Sequence, residues 1–589
     1  MKKELLIVNA VAMQSVATGD YVYRVEQPAA ALGKLPETAV ITVSTISPFF
    51  GKLCLQADVL VLHLLTEEDL LPVIEERKRR GLATVFEMSD NILAPHPGVG
   101  RRGWFSDPLH TASALQYAGL ADAMQVTGEG LKKMFGFLNP HTAVLENQVA
   151  RLGAPRAAGS GRVRIGWAGS VGHTEDLFSF REAVAAAMAE NPALEFAFMG
   201  NAGQFEQLFS RLPRGRASYR PAGALSDYLE FLDGLDAGIA PLLETPYNLC
   251  RSDVKFIEYA SRGAVPVLSS ILPYQIHGRH GENALLFSTP GELASILEVL
   301  ARDSGLRQKI SFGAYDYAAR NRMEDQHARP RREFYAGLRC AEVPRDLSGV
   351  PLAACEGSRS FNVTRTEAEL LLIRGIEAEA QGDAQTAREI YAEAERAAEG
   401  YYLPAFRLGH SLAREGSPEA AGHFERAARK NPRSIRSLRC LGDALRDRDR
   451  EAAVAAYRSA LNVSAAHAPS FEAIASLCEK EGEWERAAEL YQCALRANPY
   501  SSRAALGIGN ICRRTGLSGE ANKFFEAAAE MAPNFQEAQI AYAEFLAGTG
   551  KEREAVPYCI RGLEIDPSWE PAVSLAERIL DKNDGKKPK

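Results

Sequence analysis

The chain has 589 residues, which is enough for roughly three or four domains. A content of 46% hydrophobic and 24% charged residues excludes a wholly disordered chain. The net charge of −7 excludes a global basic field that would recruit nucleic acid, and the absence of any run of ~18 apolar residues argues against a membrane span.

The first block, residues 1–150, alternates short apolar runs with helical patterns. Its opening run is interrupted by Glu4 and Asn9, which favours a buried strand over a signal peptide. Continuous apolarity is typical of parallel strands buried on both faces, and strand–helix alternation predicts a doubly wound sheet. The predicted strands are 4–10, 39–44, 58–65, 83–90, 123–129 and 142–147.

The second block, residues 151–345, predicts another Rossmann-like sheet after a polar, Gly/Ala/Arg-rich linker over 149–162. In a tandem of such domains we expect a ligand in the cleft between them, at the carboxyl ends of the strands. The predicted strands are 163–170, 195–201, 217–223, 236–242, 265–270 and 283–288, and helices follow over 290–302 and 304–320.

A glycine-containing turn follows the first strand of the second block, in IGWAGSVGHTEDL (165–177). Glycines let backbone N–H groups approach an oxyanion, so Gly169 and Ser170 are candidates for a phosphate contact. A Gly-rich turn by itself is weak evidence for such a site. His173 lies in the same turn, and we weigh a catalytic role against that of an ordinary loop histidine.

The segment CRSDVKFIEYASRGAVPVLSS (250–270) predicts a helix over 254–262. Ser252 and Asp253 are both good residues to begin it, and Gly263 is a good residue to end it. The free N–H groups of a helix N-terminus form a ready site for an anion.

Three charged residues accompany this predicted helix. Arg251 and Lys255 supply positive charge of the right sign for a diphosphate, and Glu258 could accept hydrogen bonds from sugar hydroxyls. Lys255 and Glu258 are three residues apart and share a face, so a plain surface ion pair is the alternative. Arg251 could likewise be a simple surface charge.

The third block repeats with a period of 34 residues: Pro499, Pro533 and Pro567 share this spacing, as do Ala487, Ala521 and Ala555. Each unit predicts two amphipathic helices, with a small residue where they cross and a proline that ends the second. About six units are expected over 367–582, including a capping helix, after a linker at 346–366 and before a disordered tail at 583–589. This period is the tetratricopeptide (TPR) signature, so the block resembles that family.

Nine cysteines are scattered without a C-x-x-C pair, and the histidines form no metal-binding motif. We therefore expect free thiols in a reducing, cytoplasmic compartment, with no bound metal.

Residues 1–340 resemble GT-B glycosyltransferases of the group 1, family 4-like kind, which use nucleotide-sugar donors. The resemblance lies in IGWAGS, FMGN, LDAGIAPLLETPYN, SDVKFIEYASRGAVPVLSS and HGENALLF. It implies that Glu258 binds the donor ribose, that Gly169 and Ser170 approach the phosphates, and that Lys255 and Arg251 neutralise the diphosphate. No convincing D-x-D motif accompanies it, so metal-independent transfer without a cofactor is expected.

The resemblance also implies roles in the first block. Tyr23 and Arg24 would face the cleft, with Arg24 contacting the donor, although a helix-surface arginine is solvent-exposed by default. Asp90 follows a predicted strand and could activate the acceptor, or merely cap a turn. Many relatives have a glutamate at the position of Cys250.

The function predicted is sugar transfer from a nucleotide-diphosphate sugar to an acceptor. A concave TPR groove would bind a protein or peptide, or its inner face would only pack against the enzyme. The alternatives are a catalytically degenerate scaffold, which Cys250 favours, and a transferase acting on a surface or lipid-linked glycan. The donor base and sugar, the stereochemical outcome and the oligomeric state stay open.

Overall fold

The structure, a computed structural model, describes residues 4–12, 19–94, 102–154, 161–338 and 345–584. It contains two α/β lobes, each built on a mainly parallel sheet, followed by an array of paired helices. The expected fold class is therefore confirmed. No helix within the described ranges is both long enough and apolar enough to cross a membrane.

The N-lobe is built on an eight-stranded sheet with the order β13-β14-β2-β1-β3-β4-β5-β6, in which β13 is Leu352–Ala354 and β14 is Ser360–Val363. Strands β1 and β4 are buried along their whole length, and β2 and β3 are buried except at the last residue, as their unbroken apolar runs predicted. The strands are β1 (Leu5–Val11), β2 (Thr38–Ser44), β3 (Val59–His63), β4 (Ala83–Met88), β5 (Ala123–Val126) and β6 (Thr142–Val144); the helices are α1 (Gly19–Tyr21), α2 (Gln27–Gly33), α3 (Phe50–Gln56), α4 (Leu71–Arg79), α5 (Arg102–Phe105), α6 (Pro108–Leu120) and α7 (Glu129–Phe135).

The C-lobe has a six-stranded parallel sheet with the order β12-β11-β10-β7-β8-β9. The strand order reverses between β7 and β10, and open α/β sheets bind ligands at such a reversal. The strands are β7 (Val163–Ala168), β8 (Leu194–Gly200), β9 (Ala217–Pro221), β10 (Ala237–Ala240), β11 (Val265–Ser269) and β12 (Leu285–Phe287); the helices are α8 (Thr174–Glu190), α9 (Ala202–Phe209), α10 (Leu225–Asp233), α11 (Val254–Ser261), α12 (Leu272–Gln275), α13 (Pro290–Arg302) and α14 (Ser304–Asn321).

Two chain passages join the lobes and are hydrogen-bonded to each other. The Val149 N–H donates to the Arg322 carbonyl over 2.9 Å, and the Glu324 N–H donates to the Val149 carbonyl over 3.0 Å. Helix α15 (Glu324–Gly337) then returns to the N-lobe, where the Tyr335 hydroxyl donates to the Gln125 side chain over 2.8 Å. Part of the predicted linker, 155–160, lies outside the described residues.

The predicted linker at 346–366 needs correction, because it contains two strands of the N-lobe sheet. Strand β14 (Ser360–Val363) pairs in parallel with β2, and β13 (Leu352–Ala354) pairs antiparallel with β14. The backbone of β14 passes so close to Gly33 that a Cβ there would lie 2.8 Å from the Ser360 nitrogen. This segment therefore fixes the start of the repeats to the N-lobe.

The repeat region contains six helix pairs and a final helix within the described residues. Prolines at the predicted 34-residue spacing follow the second helices of the last three pairs, and a positive-φ glycine, such as Gly482 or Gly516, separates the helices of most pairs. The helices are α16 (Glu367–Ala380), α17 (Ala384–Ala397), α18 (Tyr402–Arg414), α19 (Ala420–Lys430), α20 (Ile435–Leu445), α21 (Arg450–Val463), α22 (Ala468–Lys480), α23 (Trp484–Ala497), α24 (Ser502–Arg514), α25 (Ser518–Met531), α26 (Gln536–Gly548), α27 (Glu552–Ile565) and α28 (Glu570–Asp584).

The final helix α28 runs to Asp584, so it includes the first two residues of the predicted tail, and 585–589 lie outside the described residues. The predicted packing within the repeats is confirmed. Ala487 is fully buried where two helices cross, and the ring of Tyr491 fills the space above Gly507, where a Cβ would meet it at 2.5 Å.

The repeats dock on the N-lobe through two acidic residues in the turn after β3. The Arg439 guanidinium contacts both oxygens of Glu68, at 2.6 and 2.8 Å, and His467 Nε2 lies 2.9 Å from one of them. The Arg436 backbone N–H donates to Asp69 over 3.0 Å, and the Tyr402 hydroxyl donates to it over 2.9 Å. Burial alone would raise the pKa of Glu68, but the charges and hydrogen bonds of Arg439 and His467 together outweigh this and hold the pKa well below its ordinary value.

The inner face of the repeats is only partly taken up by this docking. A cavity of about 380 Å³ lies along α20, α22 and α24, the first helices of the third, fourth and fifth pairs. Asp107 and Leu109 of the N-lobe line its end. The inner face thus packs against the N-lobe in one part and leaves a groove in another.

Candidate functional site between the lobes

The turn after β7 lies at the strand-order reversal of the C-lobe, where the sequence predicted a phosphate contact. Ser170 is exposed at this edge. Gly169 packs over the Trp167 ring, where a Cβ would come within 2.7 Å, and its N–H donates to the Met199 carbonyl over 3.1 Å. The glycine is therefore required for packing, and its N–H already has an acceptor.

His173 is held between a carboxylate and a guanidinium. Its Nδ1 lies 3.1 Å from Asp176, and its Nε2 lies 3.1 Å from the Arg251 guanidinium. Arg251 can only donate, so Nε2 accepts and Nδ1–H donates to Asp176. Asp176 is fully buried and also accepts from the Leu243 N–H and from the Asn248 side chain, each over 2.9 Å.

Burial, with the nearby Arg251 charge, lowers the pKa of His173 from 6.5 to about 4. The imidazole is therefore neutral at neutral pH. Its Nε2 lone pair is directed at Arg251, so His173 orients that cation. The predicted catalytic role of His173 would require this contact to break.

Helix α11 begins at Asp253 as predicted, but not by side-chain capping. The Asp253 carboxylate instead pairs with the buried Arg322 at 2.5 and 2.9 Å, and Arg322 also donates to the Asn147 carbonyl over 2.6 Å. Arg322 thus fixes the N-terminus of α11 directly to the hinge, the pair of chain passages that join the two lobes.

Cys250 is 6% exposed and packs into the hydrophobic core of the N-lobe. The Asn91 side chain lies 3.6 Å from its sulfur, and burial raises the pKa of the thiol to about 11. A glutamate here would be a buried charge between the lobes, and such a charge is costly unless it is paired.

Glu258 is the centre of a buried hydrogen-bond network that joins both lobes. The Tyr23 hydroxyl of the N-lobe donates to one carboxylate oxygen over 2.8 Å. The Tyr228 hydroxyl on α10 donates to the other over 2.5 Å, and Lys255 Nζ lies 3.1 Å from that second oxygen and 2.6 Å from the Tyr228 hydroxyl. Glu258 is 4% exposed, so the Lys255–Glu258 pair is not a plain surface pair.

Asp90 also contacts the opposite lobe. The Tyr247 hydroxyl donates to its carboxylate over 3.2 Å, and the Arg251 guanidinium lies 5.4 Å above the Tyr247 ring. Through Tyr247 and Arg251, Asp90 is connected to His173. The structure therefore brings six of the predicted residues around one junction: Asp90, His173, Ser170, Arg251, Lys255 and Glu258.

Arg24 requires a correction, because its side chain points into the N-lobe. It is 3% exposed, and its Nε lies 2.6 Å from Glu87 on β4. It also donates to Asn147 over 3.1 Å. The charge is needed to balance a buried carboxylate, whereas the neighbouring Tyr23 reaches the cleft.

A cavity of about 330 Å³ lies beside the Glu258 network. Tyr23 and Glu258 form part of its wall, together with Leu225, Leu229 and Arg262. No group of three or more His, Cys, Asp or Glu residues that could hold a metal ion occurs in the part of the chain that the structure describes.

Sequence reasoning missed three residues that organise the site. Asp176 and Tyr228 lie on helices α8 and α10, and Tyr247 lies in the loop before α11. Asp176 stands in the first helical turn after the glycine turn, which was a usable signal. No sequence signal pointed to Tyr228 or Tyr247, because their partners are distant in the sequence.

No model of a protein family matches this chain, and neither does any curated protein. Among solved structures, Anabaena HepE in complex with UDP-glucose is 13% identical with a TM-score of 0.44, over 57% of this chain and 100% of that one. MamA is 24% identical with a TM-score of 0.25, over 27% of this chain and 93% of that one. PilF of Pseudomonas aeruginosa is 15% identical with a TM-score of 0.31, over 36% of this chain and 97% of that one.

At these identities and scores, the likenesses carry no conclusion about ligand or activity. The resemblance at the level of fold is confirmed by the coordinates themselves. Two Rossmann-like lobes joined by a hinge and a returning helix form a GT-B-like arrangement, and the 34-residue helix pairs form a TPR-like array.

Proposed function

We propose that the chain is a glycosyltransferase that takes its sugar from a nucleotide-diphosphate donor held at the junction of the two lobes. The observation that carries this proposal is the convergence of Arg251, Lys255 and Glu258 at the strand-order reversal of the C-lobe. Two cations beside the start of α11 suit a diphosphate, and a carboxylate one turn later suits a sugar hydroxyl.

The acceptor is proposed to be a protein recruited through the free part of the repeat groove. Support comes from the position of that groove, whose end is lined by Asp107 and Leu109 of the N-lobe. A surface or lipid-linked glycan is the alternative acceptor. A cytoplasmic location is supported by the cysteines, which are free thiols throughout the described residues.

A catalytically degenerate scaffold is the second candidate function. The observation that favours it is the state of Glu258, whose two carboxylate oxygens both accept hydrogen bonds from the protein's own tyrosines. Donor binding requires at least one of these bonds to be exchanged.

Lys255→Ala tests the proposed site. Calorimetry with a panel of nucleotide sugars that includes UDP-glucose should show about tenfold weaker binding or more, because charge-assisted hydrogen bonds contribute about 1.5–3 kcal/mol. The control is Lys309→Ala, which removes the same charge from an exposed position on α14 of the same lobe. If no nucleotide sugar binds the wild type, the scaffold hypothesis is favoured. If both variants bind the donor equally well, the assigned site is wrong.

A further inference from the structure

Tyr23 and Tyr228 contact the same carboxylate from opposite sides of the lobe junction. Tyr23 belongs to the N-lobe, and its hydroxyl bonds one oxygen of Glu258 at 2.8 Å. Tyr228 belongs to the C-lobe, like Glu258 itself, and bonds the other oxygen at 2.5 Å. Separation of the lobes would therefore free one oxygen and leave the second held.

Both tyrosines act as hydrogen-bond donors here. Burial, followed by the charge of Glu258, raises the pKa of each phenol well above its ordinary value, so both hydroxyls keep their protons. Tyr228 also accepts from Lys255 at 2.6 Å, which fixes its orientation. Tyr23 is 7% exposed, and its ring lines the cavity of about 330 Å³ beside Glu258.

We propose that the Tyr23 hydroxyl is an internal substitute for a ligand hydroxyl on Glu258, and that Tyr228 is a positioning residue that holds Glu258 for that ligand. This inference rests on the proposed function. A donor hydroxyl that reaches Glu258 takes the oxygen that Tyr23 leaves. The ligand and the closed contact between the lobes thus compete for one acceptor.

The matched variants Tyr23→Phe and Tyr228→Phe each remove one hydroxyl from the same carboxylate, and their effects should have opposite signs. With UDP as the probe, Tyr23→Phe should bind about three- to tenfold more tightly than wild type, because no internal bond has to be exchanged. Tyr228→Phe should bind more weakly, because Glu258 loses the group that orients it. Equal or weaker binding by Tyr23→Phe overturns the proposed competition.

A second measurement, without any nucleotide, separates this inference from the proposed function. Hydrogen exchange in α2 and the preceding turn should be faster in Tyr23→Phe than in wild type, because the contact with the C-lobe is lost. It should be unchanged in Tyr228→Phe, whose bond lies within one lobe. Unchanged exchange in Tyr23→Phe overturns the inference, whereas faster exchange without binding of UDP or of any nucleotide sugar in the panel leaves the lobe contact supported and rejects the donor site.

Discussion

At the residue scale, the site is defined by which atoms are already paired. Lys255 and Glu258 were predictable from their spacing, since residues three apart share a helix face. The different directions of Tyr23 and Arg24 were not predicted, although successive residues on an α-helix point about 100° apart. They lie in a π-helical turn, Val22–Glu26, whose phase an α-helical period does not predict. One side chain therefore reaches the C-lobe and the other enters the N-lobe.

His173 makes the stability of the C-lobe depend on pH. Its pKa is about 4 in the folded protein and 6.5 ordinarily, so between these values the unfolded chain binds more protons. Its contribution is therefore complete above about pH 6.5 and is lost as pH falls toward about 4. At about pH 5 the loss should be about 2 kcal/mol relative to neutral pH.

Urea unfolding of wild type and His173→Gln, at neutral pH and at about pH 5, measures this contribution. Tryptophan fluorescence is a suitable signal, because the buried Trp167 ring lies 5.9 Å from the imidazole. The variant cannot take up the proton, so it should lose less stability on acidification. Parallel losses in the two proteins would show that His173 is not the responsible group.

At the scale of elements, the six predicted strands of each lobe are all present. Most of them are buried on both faces and leave continuous apolar runs, whereas the edge strands β6 and β9 are partly exposed. Strands β13 and β14 were missed because they are short and lie at one side of the sheet. β13 is the edge strand and is largely exposed, β14 lies between β13 and β2, and the two strands contain only three and four residues. Three or four residues are too few for a periodic pattern that separates a strand from a linker.

Gly33→Ala tests the docking of β14. A Cβ at this position would lie 2.8 Å from the Ser360 nitrogen and 2.9 Å from the Arg359 carbonyl carbon, and backbone cannot move aside as a side chain can. We expect a destabilisation of about 1–3 kcal/mol. Hydrogen exchange of residues 352–363 should be faster in this variant.

The matched control is Gly51→Ala, where an added Cβ has nothing within 4 Å. Alanine there should be neutral or stabilise helix α3 by up to about 1 kcal/mol. If both variants leave exchange in β14 unchanged, the strand does not depend on its contact with Gly33.

At the scale of the whole molecule, the order of the three parts was readable from the sequence, because a 34-residue period and strand–helix alternation are repeated signals. Their docking was not readable. The pair between Glu68 and Arg439 joins residues 371 positions apart, and Asp69 meets Arg436 across a similar gap. Nothing in the sequence of an isolated acidic turn or of an isolated arginine predicts that the two form a pair.

Arg439→Glu should loosen the repeats from the N-lobe. The change places a carboxylate against Glu68, which is 5% exposed, and like charges at such a contact repel. Small-angle scattering should show a larger radius of gyration than in wild type. Arg458→Glu makes the same charge change at an exposed position on α21, and it should leave the radius unchanged. Equal radii for both variants would assign the docking to other contacts.

The strand β14 has a consequence for how a protein acceptor would be chosen. The sheet of the N-lobe continues into the segment that precedes the repeats. The groove therefore keeps a fixed position relative to the cleft, which a flexible linker would not provide. Under the proposed function, the distance between the groove and the cleft would be fixed. A protein acceptor would be modified at a set number of residues from the segment that binds the groove, whatever the sequence between the two points.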